Sequence, residues 1–257
     1  HYPLRRQRQM CIRDSINTLF PEFIYFMRET FGEQSFAFAM ADLEMGVLFI
    51  FAMGGLGVFS AVLAGWSSNN KFGLLGGIRA ASQMVSYEIS MGLSLMGLLL
   101  IVGSVAITDI VNYQNQLWFG VVPKWGVFLQ PIGFLLFLTA SIAENKRIPF
   151  DLPEAESELV AGFFTEYSSM KMVLFMLSEF AEIFIIGAIV TTLFLGGYHV
   201  PWLYEDGFRT PFGDLALPHI AVFLLQHLAF VIKTFFIVWV QFLIRWTLPR
   251  FRHDQLM

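Results

Sequence analysis

Glu88, Glu179, Glu182 and Lys233 stand inside long apolar runs of the sequence, and Glu144 ends another. An ionisable group within a membrane-spanning run costs on the order of 2.5 to 3.5 kcal/mol to insert, so such groups mark functional sites by default. A carboxyl held out of water resists ionisation, which brings its titration toward the working pH of a proton relay. Glu88, in "ASQMVSYEISMG", reads either as a relay carboxyl or as a neutral acid hydrogen-bonded to nearby Ser and Tyr hydroxyls. Glu179 and Glu182, in "FMLSEFAEIFI", are three apart and share a helix face. Two neighbouring carboxylates cannot both ionise cheaply. Either Glu179 conducts protons, or one of the two is paired with Lys171 or another base, and the role of Glu182 stays open. Lys233, in "FVIKTFF", is too deep in its run to snorkel to the surface. It is expected to pair with a glutamate or to sit in a hydrated cavity, and it joins the relay set. His227 lies off the Lys233 face and reads as a hydrogen-bonded packing residue.

The densest charge is in "AENKRIPFDLPEAESELVAGFFTEYSSMK", Ala143 to Lys171. This stretch holds six carboxylates: Glu144, Asp151, Glu154, Glu156, Glu158 and Glu166. A freely solvated loop would avoid Phe150, Leu159, Val160, Phe163 and Phe164, and a plain helix would avoid Pro149 and Pro153. The mixture predicts a re-entrant, protein-covered segment, part bent and part helical from about Pro153. Irregular backbone at such depth is tolerated where it is buried in protein or lines a water-filled cavity. Its acids then form a negative funnel toward Glu144 and Glu88. An acidic docking loop for a basic soluble partner is the competing reading, and the two are compatible. No Cys, His or carboxylate spacing matches a metal or haem site, and no Gly-rich phosphate loop joins a strand to a helix.

These groups need apolar elements to hold them. The chain of 257 residues is 56% hydrophobic and only 14% charged, where a soluble domain carries about 25% charged residues. The deficit means that most of the surface faces lipid or other membrane proteins. Net charge of −4 points to no nucleic-acid partner. The single cysteine, Cys11, excludes an internal disulfide framework. Five windows are long and apolar enough to cross a bilayer: about 43–66, 80–103, 125–143, 172–195 and 219–243. The expected fold is therefore an all-α polytopic membrane protein with about five transmembrane helices and the re-entrant acidic loop 144–171. Residues 16–40, aromatic and mixed in charge, read as interfacial, and 41–257 as the membrane domain. Gly54, Gly55, Gly57 and Gly65 in the first span, and Gly92, Gly97 and Gly103 in the second, read as packing glycines.

Orientation follows from Lys and Arg in the short loops. One side receives Lys71, Arg79, Lys146, Arg147, Lys171, Arg245, Arg250 and Arg252, and the other Lys124 and Arg209. The acidic loop is thus expected on the cytoplasmic side. Trp66, Trp118, Trp125, Trp202 and Trp246 fall near the predicted interfaces. The first fifteen residues, "HYPLRRQRQMCIRDS", have no apolar period and no signal-peptide core. They resemble the translated remnant of a sequencing adapter and are expected to be non-native, the other reading being a basic arm for anionic lipid.

The acidic stretch resembles the signature of one membrane family of proton-pumping NADH:quinone oxidoreductase (respiratory complex I), the H-subunit or subunit-1 family. So do "ADLEMGVLFIFAMGGLGVFSAVLAGWSSNNKFGLLGGIRAASQMVSYEISMGLSL" and "RWTLPRFRHDQLM", and the similarity covers nearly everything from Ala41 to Met257. The resemblance implies a membrane-arm subunit, inactive alone, that forms part of the chamber where a quinone is reduced. It implies a relay through Glu88, Glu144, Glu154, Glu156, Glu158 and Glu179, with Arg147, Asp151, Phe163 and Phe164 on the chamber side. NADH, flavin and iron–sulfur clusters would belong to partner subunits, and the location would be a bacterial inner membrane. Eight helices are common in the family, so five here would correspond to the third through the seventh and the chain to a fragment. His253 stands where the family pattern has a tyrosine, and an acid at Glu182 is not expected from the family. Two other classes fit less of the sequence. A stand-alone cation or proton transporter would show inverted repeats, and none is evident. A related subunit of an energy-converting hydrogenase would be told apart by its neighbouring genes.

Overall fold

The computed structural model describes residues 43–118, 122–151, 153, 162–204, 207–210, 213–216 and 219–251. In chain order these form α1 (Gly46–Ser67), α2 (Lys71–Val102), α3 (Ile107–Gln114), β1 (Leu117–Trp118), β2 (Val122–Pro123), α4 (Gly126–Leu129) and α5 (Pro131–Glu144). A 3-10 turn at Gly162–Phe164 follows, then α6 (Ser169–Phe194), β3 (Leu203–Tyr204), β4 (Gly207–Thr210), β5 (Gly213–Ala216) and α7 (His219–Thr247). The expectations for Cys11, Glu154, Glu156, Glu158, Arg252, His253 and the segments 1–15 and 16–40 lie outside the described residues.

Four helices among the described residues are long and apolar enough to cross a membrane: α1, α2, α6 and the Val222–Thr247 part of α7. Their outward faces are apolar, with Leu93 at 69% and Leu100 at 78% exposure. A surface of that kind is covered by lipid or by other protein. The chain is an all-α polytopic membrane protein in its described part, with a few short strands of two and four residues.

The third predicted window does not form one straight helix. Gln130 takes φ −142° and ψ 71°, and Pro131 begins α5, which runs only 14 residues. The physical reason is the proline: it lacks an N–H and pushes the preceding residue out of the helical region. Helix α2 starts at Lys71, nine residues before the predicted Ala80, because Asn70 caps it by accepting a hydrogen bond from the Phe72 N–H at 3.1 Å. It ends where Gly103 takes φ +77°, a left-handed conformation that glycine adopts without strain.

Among the described residues, two apolar clusters hold the helices together. Leu95, Leu98, Ile110, Phe137, Val190 and Phe194 are nearly solvent-free and join α2, α3, α5 and α6. The Phe137 and Phe194 ring centroids lie 5.3 Å apart. The second cluster packs Phe163 and Phe164 of the 3-10 turn against Ala61, Ala64 and Ala80 of α1 and α2. Between α1 and α2 the backbones nearly touch. A Cβ built on Gly65 would come 2.7 Å from Gly73 O, and one on Gly77 would come 2.8 Å from Ala61 O. The β4–β5 hairpin, with Arg209 opposite Asp214, belongs to a separate small unit spanning residues 204–222.

Candidate functional site: a buried polar layer at the bend after α5

The chain leaves α5 at Glu144 and turns sharply. Lys146 takes φ +53°, the Ile148–Pro149 bond is cis, and the Phe150 N–H donates to Arg147 O at 2.8 Å. Such a bend exposes carbonyls that a membrane setting cannot hydrate. Gln83 of α2, itself buried, meets that need. Its Nε2 donates to Ala143 O at 2.8 Å and to Phe150 O at 2.7 Å, so one amide ties both sides of the bend to α2.

Charged groups gather around this bend. Arg147 Nη2 lies 2.8 Å from Glu179 Oε2 of α6, with both side chains largely buried. The Arg147 guanidinium also stands over the Phe180 ring, 4.9 Å from its centroid. Asp151, 4% exposed, accepts a hydrogen bond from Arg250 Nη2 at 2.7 Å. The Phe251 N–H donates to Pro149 O at 3.0 Å, and Phe150 packs between Tyr87 and Phe251. The segment after α7 therefore clasps the start of the acidic stretch. Farther along it, Glu166 Oε1 accepts from Asn70 Nδ2 at 2.9 Å.

Glu144 and Glu88 are half-buried, and the charges of Glu88, Glu182 and Lys146 all act on Glu144. Glu179 feels Arg147, Lys146, Glu182 and Asp151. Glu182 thus belongs to the same electrostatic group as Glu144 and Glu179, with Lys146 and Arg147 as its opposing charges. Glu88 lies seventeen residues into α2, counted from Lys71, or about 25 Å along the axis. That is deeper than the two turns expected from a span starting at residue 80. A cavity of about 20 Å³ opens beside the ion pair, lined by Asn145, Arg147, Gln241 and Arg245 with Ile142 and Ile183. It has room for about one water molecule. Phe163 and Phe164 are buried in the second apolar cluster, and Lys146 Nζ stands 5.9 Å from the Phe163 centroid.

Lys233 is not brought to Glu88, Glu179 or Glu182. Its Nζ donates to three carbonyls after α6: Leu195 O at 2.8 Å, Gly197 O at 3.1 Å and His199 O at 2.6 Å. It also stands over the Trp125 ring at 4.8 Å. Three acceptors match the three donors of an ammonium, and a cation at a helix C-terminus complements the helix dipole. The glutamate pairing expected for Lys233 is replaced by this cap. The reason is that the chain turns after Phe194 and leaves the Leu195, Gly197 and His199 carbonyls outside any helical ladder, where a cation can gather them. Gln114, fully buried, completes the arrangement by donating to Leu193 O and accepting from the Gly126 and Gly196 N–H groups. His227 Nδ1 lies 2.9 Å from Phe223 O of its own helix.

Sequence reasoning passes over Gln83, Asn145, Gln114, Gln241 and Arg250. For Gln83 and Gln241 the available signal is a neutral amide inside a mostly apolar run, since a buried amide needs partners as a charge does; Asn145 and Gln114 stand in polar stretches and carry no such signal. For Arg250 there is none, because its partner is 99 residues away.

Comparison with known proteins matches this chain to a family. The family model described as NADH dehydrogenase matches residues 3–257. An H-type subunit of the NADH-quinone oxidoreductase of Cytophaga hutchinsonii is 42% identical over 226 residues, covering 88% of this chain and 62% of that protein. "NADH-quinone oxidoreductase subunit 8" of Rhodothermus marinus is 44% identical over 220 residues, 85% of this chain and 62% of its own length. The H-type subunit of the NADH-quinone oxidoreductase of Flavobacterium psychrophilum is 46% identical over 222 residues, 84% and 59% of the two chains. The chain spans about three fifths of the length of the relatives it matches. With a match over nearly its whole length, the chain belongs to the NADH dehydrogenase family.

Proposed function

We propose that the chain is the membrane subunit of a proton-translocating NADH:quinone oxidoreductase and acts only within that complex. Its relatives are named as subunits of an NADH-quinone oxidoreductase. NADH, flavin and iron–sulfur clusters would sit on partner subunits, and quinone would be the substrate reduced beside this one. The setting would be a bacterial inner membrane with the acidic stretch on the cytoplasmic side, as the Lys and Arg distribution implies.

The observation that carries the reading is the polar layer at the bend. Glu88, Glu144, Glu179 and Glu182 share one electrostatic neighbourhood with Lys146 and Arg147 inside an otherwise apolar bundle. Arg147 and Asp151 would lie toward the quinone chamber, with Phe163 and Phe164 shaping its wall. When quinone reduction changes the charge and proton demand in that chamber, Arg147 would redistribute its attraction between chamber and Glu179. A carboxyl that loses part of a cation's attraction binds a proton more readily. Protonation would then pass among Glu179, Glu144 and Glu88, with Glu154, Glu156 and Glu158 as the outer members. Lys233 would anchor α6 rather than carry protons.

The test is to place Glu88→Gln and Glu144→Gln, separately, in the assembled complex in proteoliposomes. Proton translocation per quinone reduced should collapse in each. Normal coupling in both variants would remove the relay.

A further inference from the structure

Gly54 and Gly55 are neighbours on α1, and what they face differs from what the packing glycines face. Gly65 and Gly77 let two backbones touch. A Cβ built on Gly55 would instead come 2.9 Å from Glu88 Oε1, 3.5 Å from Oε2 and 3.6 Å from Cδ, so its three nearest neighbours are all atoms of one carboxyl group. A Cβ on Gly54 would meet Glu144 Oε1 at 3.9 Å. Successive helix positions point about 100° apart. The bare backbone at 54 and 55 therefore forms a notch that receives the Glu88 carboxyl, with the Glu144 carboxyl at its edge.

We propose that Gly55 is a positioning residue for Glu88: the missing side chain leaves the place where the Glu88 carboxyl sits against α1, beside Glu144. This rests on the reading of Glu88 as a relay group. A methyl at position 55 would demand that the carboxyl retreat by about half an ångström to reach ordinary contact at 3.4 Å. Glutamate is flexible, so the retreat costs the fold little. Proton transfer is less forgiving, because it needs heavy atoms within about 2.6–3.2 Å, directly or through one water. The notch therefore serves the geometry of the carboxyl pair, whereas Gly65 serves helix contact.

The experiment uses the assembled complex in proteoliposomes and compares Gly55→Ala, Glu88→Asp, the double variant, Gly57→Ala and Glu88→Gln. Gly57 is the control, since a Cβ there meets only Met84 Cε at an ordinary 3.6 Å. Gly55→Ala should assemble normally but lose about threefold or more in protons moved per quinone reduced, with an altered pH profile. The shorter Glu88→Asp should partly offset the added methyl, so that the double variant exceeds the product of the two single effects. Gly57→Ala should match the parent. If Gly55→Ala keeps normal coupling and pH profile while Glu88→Gln abolishes coupling, the positioning role is overturned and the relay reading stands. If Glu88→Gln has no effect, both fall. If Gly55→Ala fails to assemble as Gly65→Ala would, Gly55 is a packing residue and the proposal is overturned.

Discussion

Arg147 and Glu179 meet at 2.8 Å although one follows the end of α5 and the other lies ten residues into α6. Both side chains are largely out of solvent, so neither charge can be removed alone without stranding the other. Arg147→Ala should destabilise the subunit by about 3 kcal/mol, as truncation of one member of a buried pair does. The double variant Arg147→Met/Glu179→Leu should recover most of that loss and still fail to couple quinone reduction to pumping. Thermal unfolding of the solubilised complex and proton translocation, measured together, separate the two effects.

Lys233→Met should free three carbonyls that have lost their donor. The expected cost is about 2–4 kcal/mol, because hydrogen bonds to a charged group are stronger than neutral ones and buried acceptors are left unpaired. An anchoring role predicts loss of subunit from the purified complex, with normal pumping by the fraction that remains assembled. Full assembly with no pumping would instead make Lys233 a relay member.

Gln83→Leu removes the amide that holds Ala143 O and Phe150 O. The destabilisation should be about 1–3 kcal/mol, concentrated at the bend. Faster hydrogen exchange at residues 145–150 than in α7 would register it. Gln83→Asn, too short to span both carbonyls, should lie between the parent and Gln83→Leu.

His199, in the segment after α6, is pushed down to about 4 by burial first and by the Lys233 charge second. An unfolded histidine titrates near 6.5, so between those values the unfolded chain binds more protons than the folded one. Stability contributed by neutral His199 is therefore intact above pH 6.5 and declines as the pH falls toward 4. At pH 5.5 the loss is about 1 kcal/mol. His199→Gln should flatten the decline in thermal stability between pH 7 and 5, and an unchanged slope would rule this source out.

Much of the helical layout is legible because membrane spans are written in long apolar runs. Residue-level sites are legible where a charge interrupts such a run, as at Glu88 and Glu179. The partners are not. Asp151 meets Arg250 across 99 positions, and Arg147 meets Glu179 only because the bend after Glu144 swings the guanidinium toward α6. Lys233 shows the opposite failure. Its depth in the run announces a special role, but the carbonyls of the turn after α6 become its partners only once the chain has folded back. In sequence the glycines read uniformly as packing residues, yet only the neighbouring atoms separate Gly55, against a carboxyl, from Gly65, against a backbone. The break at Pro131 is written plainly, and apolar content outweighs it.

That break also bears on the lipid. Helix α5 has 14 residues and rises about 21 Å, while an average hydrocarbon layer is about 30 Å thick. Roughly 9 Å of that layer lies beyond the reach of α5 itself. Ile132, 73% exposed, lies on its outer face; where that face meets lipid rather than other protein, the bilayer thins around the shortfall. Chain length in the surrounding phospholipid then becomes a handle on α5.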